Sequence, residues 1–200
     1  MGRRVVILLF LVLIVGCILY IRHYKSEQDY NRRYYIKIDE ASIEGNLKLW
    51  LNRDEGMDLN PNIFDLQRLG DSSTYMVLFT LGNNDYGNAQ LIKGKNGKLR
   101  IKQASYGGLL IYDYQDIKTN KGRYYLVMGK NPNLIFDHIE VKVDYKKSYS
   151  FFVDVSGDEF FYHYENIPED QELDERTKII FYDEDNKPFT DDQLRVIDFN

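Results

Sequence analysis

The chain has 200 residues, 44% of them hydrophobic and 28% charged, with one cysteine and a formal net charge of −5. That length buries a core without a metal or disulfide staple, and a lone cysteine excludes an intramolecular disulfide, the multi-cysteine zinc sites and the CxxC redox motif. The apolar fraction excludes wholesale disorder, 14 Gly with 4 Pro exclude a collagen-like chain, and a pI near 5.3 argues against nucleic acid as a partner.

Residues 5–21 read VVILLFLVLIVGCILYI, without a charge, between Arg3-Arg4 and Arg22-His23-Tyr24-Lys25. As a helix of ~1.5 Å per residue this run spans roughly 25 Å, a little short of a ~30 Å hydrocarbon core. Tyr20, Tyr24 and the long basic side chains at both ends make up the difference at the interfaces. Two fates compete. With no small-x-small cleavage pattern after it, the run reads as an uncleaved signal anchor. Alternatively, Ile14-Val15-Gly16-Cys17 is a lipobox and Cys17 is the lipidation site, although the run stays apolar through Ile21. The short tail with two arginines favours an N-in, C-out orientation. The helix is expected to extend towards Arg33, and a second helix is expected around residues 42–51.

From Ile63 onward apolar runs of five to eight residues are separated by Gly, Asn and Asp clusters, the signature of antiparallel strands. Residues 64–69 and 75–81 flank Gly70-Asp71-Ser72-Ser73 as a hairpin. Gly82-Asn83-Asn84-Asp85 turns into 88–93, and Gly94-Lys95-Asn96-Gly97 turns that strand into 99–104, with Asn-Gly tolerating positive φ. After Gly107-Gly108 come strands at 109–115 and 123–128, joined by Thr119-Asn120-Lys121-Gly122. In 135–145 Ile139, Val141, Val143 and Tyr145 alternate with His138, Glu140, Lys142 and Asp144. Lys146-Lys147 then turns into 149–155, and Ser156-Gly157-Asp158 into 159–164. A charged connector at 167–178 leads to a strand at 179–182 and a return through Phe189, and Thr190 caps a terminal helical turn. No amphipathic crossover helix separates the strands. The fold class is therefore mainly β: an antiparallel β-sandwich or barrel of about 8–10 short strands behind one N-terminal hydrophobic helix. Residues 1–33 form the signal anchor or lipoprotein signal with its juxtamembrane segment, and residues 34–200 the extracytoplasmic β-domain.

Charge is polarised along the chain, at +4 for residues 1–25, +2 for 26–150 and −11 for 151–200. The acidic part at 151–200 suits solvent or a cationic partner rather than anionic lipid. Catalytic motifs are not found. Gly94-Lys95-Asn96-Gly97-Lys98 lacks the hydroxyl and first glycine of a phosphate loop, and Asp183, Asp185 and Lys187 depart from an EF-hand at Pro188 and Leu194. His23, His138 and His163 have no metal-ligand spacing, no serine lies in a nucleophile elbow, and carboxylates such as Asp113, Asp116, Asp158 and Glu159 are too many to single out an acid pair. No catalytic residue, metal or cofactor is expected. Tyr112 and Tyr114 share a strand face at period two, as do Tyr162 and Tyr164. These four are the candidate binding surface, against the plainer reading of cross-strand packing.

The segment from Tyr75 to Tyr149 resembles a group of uncharacterised Gram-positive, Bacillus-type membrane or lipoprotein-like proteins. The resemblance is carried by Tyr75-Met76-Val77-Leu78-Phe79, the Leu91-Ile92-Lys93-Gly94-Lys95-Asn96-Gly97-Lys98 hairpin, Thr119-Asn120-Lys121-Gly122-Arg123-Tyr124-Tyr125, the Gly129-Lys130-Asn131 turn and the Ile/Val-rich strand ending in Tyr149. It implies an anchored extracytoplasmic β-domain and transfers no site residue. The expectation is a non-enzymatic binding domain tethered through residues 5–21 to the outer face of a bacterial cytoplasmic membrane, single-pass or lipid-anchored, with a protein or envelope component as partner. A cell-wall carbohydrate-binding or carbohydrate-hydrolysing protein and an accessory or sensor subunit of a membrane complex remain as alternatives.

Overall fold

The computed structural model describes residues 2–54, 57–82, 85–107, 112–145, 147–168 and 177–198. Helix α1 (Gly2–Arg33) runs unbroken out of the apolar segment and through the basic residues that follow it. Among the described residues no helix is long and apolar enough to cross a membrane. Much of the apolar run of residues 5–21 falls on positions 3–10 and 12, whose side chains lie outside that description. Helix α2 (Glu40–Leu51) forms because Asp39 caps it, accepting from the Ser42 N–H at 2.8 Å, and because Ile43, Leu47 and Leu51 recur on one face.

Among the described residues ten strands follow, in three antiparallel sheets. Sheet A is the meander β1 (Pro61–Arg68), β2 (Thr74–Leu81), β3 (Asp85–Lys93) and β4 (Leu99–Tyr106). Sheet B has β6 (Gly122–Lys130) between β5 (Tyr112–Thr119) and β9 (Phe160–Ile167). Sheet C has β7 (His138–Tyr145) between β10 (Lys178–Tyr182) and β8 (Lys147–Asp154). Among the described residues no sheet closes on itself, so the barrel alternative is corrected: the three sheets stack face to face. The expected turns at Asn83-Asn84 and Lys146, the start of the strand at 109–115 and most of the 167–178 connector lie outside the described residues.

The stacking order follows from strand parity. Ile43, Leu47 and Leu51 of α2 share a core with Val77, Phe79, Leu81, Ala89 and Leu91 of sheet A. The opposite face of β2, Met76 and Leu78, packs on Ile117, Tyr124, Leu126 and Met128 of sheet B. The other face of sheet B, with Tyr125, Val127 and Phe161, packs on Ile139, Val141, Val153 and Phe181 of sheet C. The layers are thus α2, A, B and C, with sheet B in the middle. Residues 124–128 of β6 are therefore all buried, alternating between two cores. Each such side chain contributes ~1.5–3 kcal/mol of burial. Strand alternation of polar and apolar residues disappears where both faces are covered.

The chain changes sheets four times, after β4, β6, β8 and β9, and the crossings after β6 and β8 meet at Asn131. It leaves sheet B after β6 through a short 3-10 turn (Pro132–Leu134) to reach β7, and returns from β8 to β9, which pairs with β6. The turn at Ser156-Gly157-Asp158 is accordingly a crossing between sheets and not a hairpin. Asn131, fully buried, sits where the two crossings pass. Its Nδ2 donates to the carbonyls of Phe136 and Val155, both at 2.8 Å, and its Oδ1 accepts from the Phe136 N–H at 2.8 Å. Its backbone N–H donates to Glu159 O. Helix α3 (Asp191–Asp198), capped by Thr190, packs Leu194 and Ile197 on the B/C core.

Candidate functional site

Between sheets B and C the core gives way at one end to a patch that is polar and aromatic together. Its floor is a row across sheet B, in which Tyr125 of β6 stands opposite Asp116 of β5 on one side and Glu165 of β9 on the other. Two strand spacings of ~4.8 Å separate the two flanking backbones. Parity puts Tyr112 and Tyr114 on this same face, along with His163 two residues before Glu165. From sheet C, Tyr149 and Phe151 of β8 close over the row.

The acids in this patch are engaged. Arg123 forks onto Asp116, its Nε reaching Oδ1 at 2.7 Å and Oδ2 at 2.9 Å while Nη2 also donates to Oδ2. Glu165 accepts from the Tyr149 hydroxyl at 3.2 Å and lies 3.4 Å from Nε2 of His163. Burial, with the Glu165 charge and hydrogen bond adding to it, raises the Tyr149 phenol above its ordinary pKa. Tyr125 is 0% exposed and its hydroxyl has no hydrogen-bond partner among the described residues. Burial, and then the neighbouring Tyr114, Tyr112, Asp113 and Asp116, push its pKa far up. The rings form a continuous wall: Tyr114 to Tyr125 at 5.7 Å, Tyr125 to Phe151 at 6.2 Å and Phe151 to His163 at 5.7 Å between centroids. Tyr114 is 45% exposed at its rim.

This arrangement is built for contact. Both Asp116 oxygens accept from the Arg123 guanidinium, which holds the carboxylate as an ion pair on the floor of the patch. Glu165 is held by a phenol and an imidazole. What faces outward is the Tyr114 ring, with Phe151 and His163 half-buried in the same patch and polar groups at its edge, a combination suited to a peptide or polyhydroxylated surface. Among the described residues no group of three or more His, Cys, Asp or Glu side chains is placed to hold a metal ion.

The four tyrosines named from sequence do not form a single surface. Tyr112 and Tyr114 face sheet C, Tyr112 packing on Phe181 at 5.2 Å. Tyr162 and Tyr164 face sheet A, Tyr164 meeting Tyr124 at 5.9 Å and Tyr162 burying its hydroxyl without a partner. Only Tyr114 of the four joins the patch as an exposed ring. Cys17 is a free, exposed cysteine inside the unbroken α1. Sequence reasoning did not single out Arg123, Tyr125, Tyr149, Phe151 or Glu165. The available signal was the period-two pairing of His163 with Glu165, but its meaning depends on β9 lying beside β6, which are distant in sequence.

No family model matches the chain, and neither a curated protein nor a solved structure matches it.

Proposed function

We propose that the chain is a membrane-tethered, non-enzymatic binding module, with residues 5–21 as the tether and the aromatic-polar patch between sheets B and C as its contact surface. The carrying observation is the patch itself, where exposed Tyr114 packs on Tyr125, Tyr125 meets Phe151, Phe151 meets His163, and the carboxylates of Asp116 and Glu165 are already engaged. The tether rests on the uncharged sequence run and its basic flanks. The resemblance to Gram-positive membrane or lipoprotein-like proteins agrees with an extracytoplasmic domain whose partner is a protein or envelope component.

Three measurements test the reading. A phosphatase that is active only outside the cytoplasm, fused after the last residue, is expected to be active, and a cytoplasmic signal overturns the orientation. The mature N-terminus read by mass spectrometry separates an intact anchor from a chain processed and diacylated at Cys17. For the contact surface, a photo-crosslinking amino acid at Tyr114 in the full chain is expected to give a discrete adduct in cells. The same residue at Leu49, 72% exposed on α2 across the molecule, is expected to give none. No adduct at Tyr114, or the same adduct at both, removes the patch as the binding surface.

A further inference from the structure

The last turns of α1 dock on the tip of the β3–β4 hairpin. The Lys95 N–H donates to the Tyr30 hydroxyl, Lys95 Nζ pairs with Glu27 at 3.0 Å, and Asn96 Nδ2 donates to Asn31 Oδ1 and Tyr34 O, each at 2.9 Å. Arg100 Nε donates to the Tyr34 hydroxyl at 3.1 Å, and Ile36 and Leu99 exchange backbone hydrogen bonds. Gly94 makes the approach feasible: a Cβ there would stand 2.5 Å from Tyr30 Oη and 2.7 Å from Tyr34 Cδ1.

Beside this junction, α1 and β4 border an open cleft of about 610 Å³ whose lining includes Arg22, Lys25, Ser26, Asp29, Arg33 and Arg100. On α1, residues 22, 25, 26, 29 and 33 follow the three- and four-residue spacing of one helix face. Four cations against one carboxylate is an unusual concentration in a chain whose net charge is −5. Among the described residues Arg22, Lys25 and Arg33 hold no ion pair, whereas Lys95 just outside the cleft is paired with Glu27. Like charges held together on walls that the docking contacts fix in place repel one another until an anion enters. The hydroxyls of Ser26, Tyr30 and Tyr34 add neutral donors of the kind that complete an oxyanion's shell.

We propose that this cleft binds a phosphate group, with Arg22, Lys25, Arg33 and Arg100 as its cationic wall. Guanidinium groups suit phosphate because their planar fork meets two oxygens at once. The volume admits the phosphate together with the glycerol or sugar that carries it. The cleft begins at Arg22, where the apolar run ends, and reaches about 16 Å further along α1 to Arg33. The same chemistry is therefore offered to a lipid headgroup or to a phosphate compound in solution. The proposal needs the cleft and not the tether.

The test uses the full chain in nonionic detergent, titrated calorimetrically with inorganic phosphate, and then the full chain in nanodiscs of phosphatidylcholine alone or of phosphatidylcholine and phosphatidylglycerol in equal amounts. Saturable phosphate binding is expected, weakening as salt rises. Arg33→Gln with Arg100→Gln is expected to lower the affinity roughly tenfold or more. Because Arg100 also contacts Tyr34, a second pair, Arg22→Gln with Lys25→Gln on the exposed helix face, is expected to give a comparable loss with an unchanged melting curve. Lys118→Gln with Lys121→Gln, which removes the same charge elsewhere, is expected to leave binding intact. Phosphate binding suppressed by phosphatidylglycerol in the disc identifies the headgroup as the source, and equal binding in both discs identifies a soluble phosphate. No saturable binding in detergent together with no difference between the discs overturns the proposal, as does parental affinity in both cleft variants or an equal loss in the Lys118/Lys121 control.

Discussion

The hydroxyl of Tyr149 on β8 donates to Oε1 of Glu165 on β9 across 3.2 Å, a hydrogen bond that passes from sheet C to sheet B at the edge of their shared core. Most of what joins these sheets is apolar side-chain packing, which is strong but weakly directional. A single polar bond at the rim fixes how far β8 reaches over the floor of the patch. Tyr149→Phe keeps the ring against Phe151 and removes only the bond. A loss of about 1 kcal/mol is expected, or roughly 2–4 °C in Tm. A crosslinker at Tyr114 should give a weaker adduct in this variant. A Tm unchanged from the parent would show that Glu165 is held by His163 alone.

Alkaline pH should unfold the domain through its buried phenols. Burial is the leading cause raising the pKa of Tyr112, Tyr125, Tyr149 and Tyr162. A raised folded-state pKa favours the neutral phenol, so its contribution is complete below the unfolded value of about 10 and is lost as pH climbs from there towards the folded value. The urea midpoint is expected to be flat up to about pH 9 and to fall steadily above about pH 10. Tyr125→Phe removes a buried hydroxyl that has no partner among the described residues, so at neutral pH it should be neutral or stabilising, and at high pH the fall should be shallower. A steeper fall in Tyr125→Phe would contradict this assignment.

Asn131 is the residue on which the crossings after β6 and β8 depend. Asn131→Ala takes away three side-chain hydrogen bonds and leaves the Phe136 N–H and the Phe136 and Val155 carbonyls buried without those partners. A cost of about 3 kcal/mol or more is expected in denaturant unfolding. Asn131→Asp should be at least as damaging, because it turns a donor to two carbonyls into an acceptor facing them. If Asn131→Asp retains parental stability, the amide is not the latch described here.

Gly94→Ala tests the docking of α1. The added methyl meets the Tyr30 hydroxyl and the Tyr34 ring, so one side must withdraw, at about 1–3 kcal/mol. The expected signature is local: faster hydrogen exchange at the Ile36 and Leu99 amides and faster tryptic cleavage after Arg33, with β6 amides unaffected. Protection unchanged at Ile36 would mean that the helix end tolerates the displacement.

The sequence reading is most accurate where a local rule decides the structure. Asp39 and the spacing of Ile43, Leu47 and Leu51 make α2 readable, and the Asn96-Gly97 turn makes the β3–β4 hairpin readable. It is weakest where the partner is distant in sequence. In β6 the alternation of Tyr124 with Tyr125 and of Leu126 with Val127 shows two apolar faces, but nothing local says that one meets sheet A and the other sheet C. The same gap hides the site. His163 and Glu165 become neighbours of Tyr149 and Tyr125 only because β9 abandons sheet C for sheet B. Glu140 illustrates the converse: it stands on the polar side of its strand, yet it is buried beside the Tyr182 hydroxyl and Lys142.

Because α1 is one helix from its apolar run to Arg33 and its end is clamped to the β3–β4 tip, helix and sheet A move as a lever and not as a weight on a string. A turn of the helix about its own axis swings the domain through the same angle. A shift of the helix along its own axis by a single residue carries the docked hairpin with it by ~1.5 Å. Whatever grips the helix therefore sets the heading and the height at which the domain presents itself.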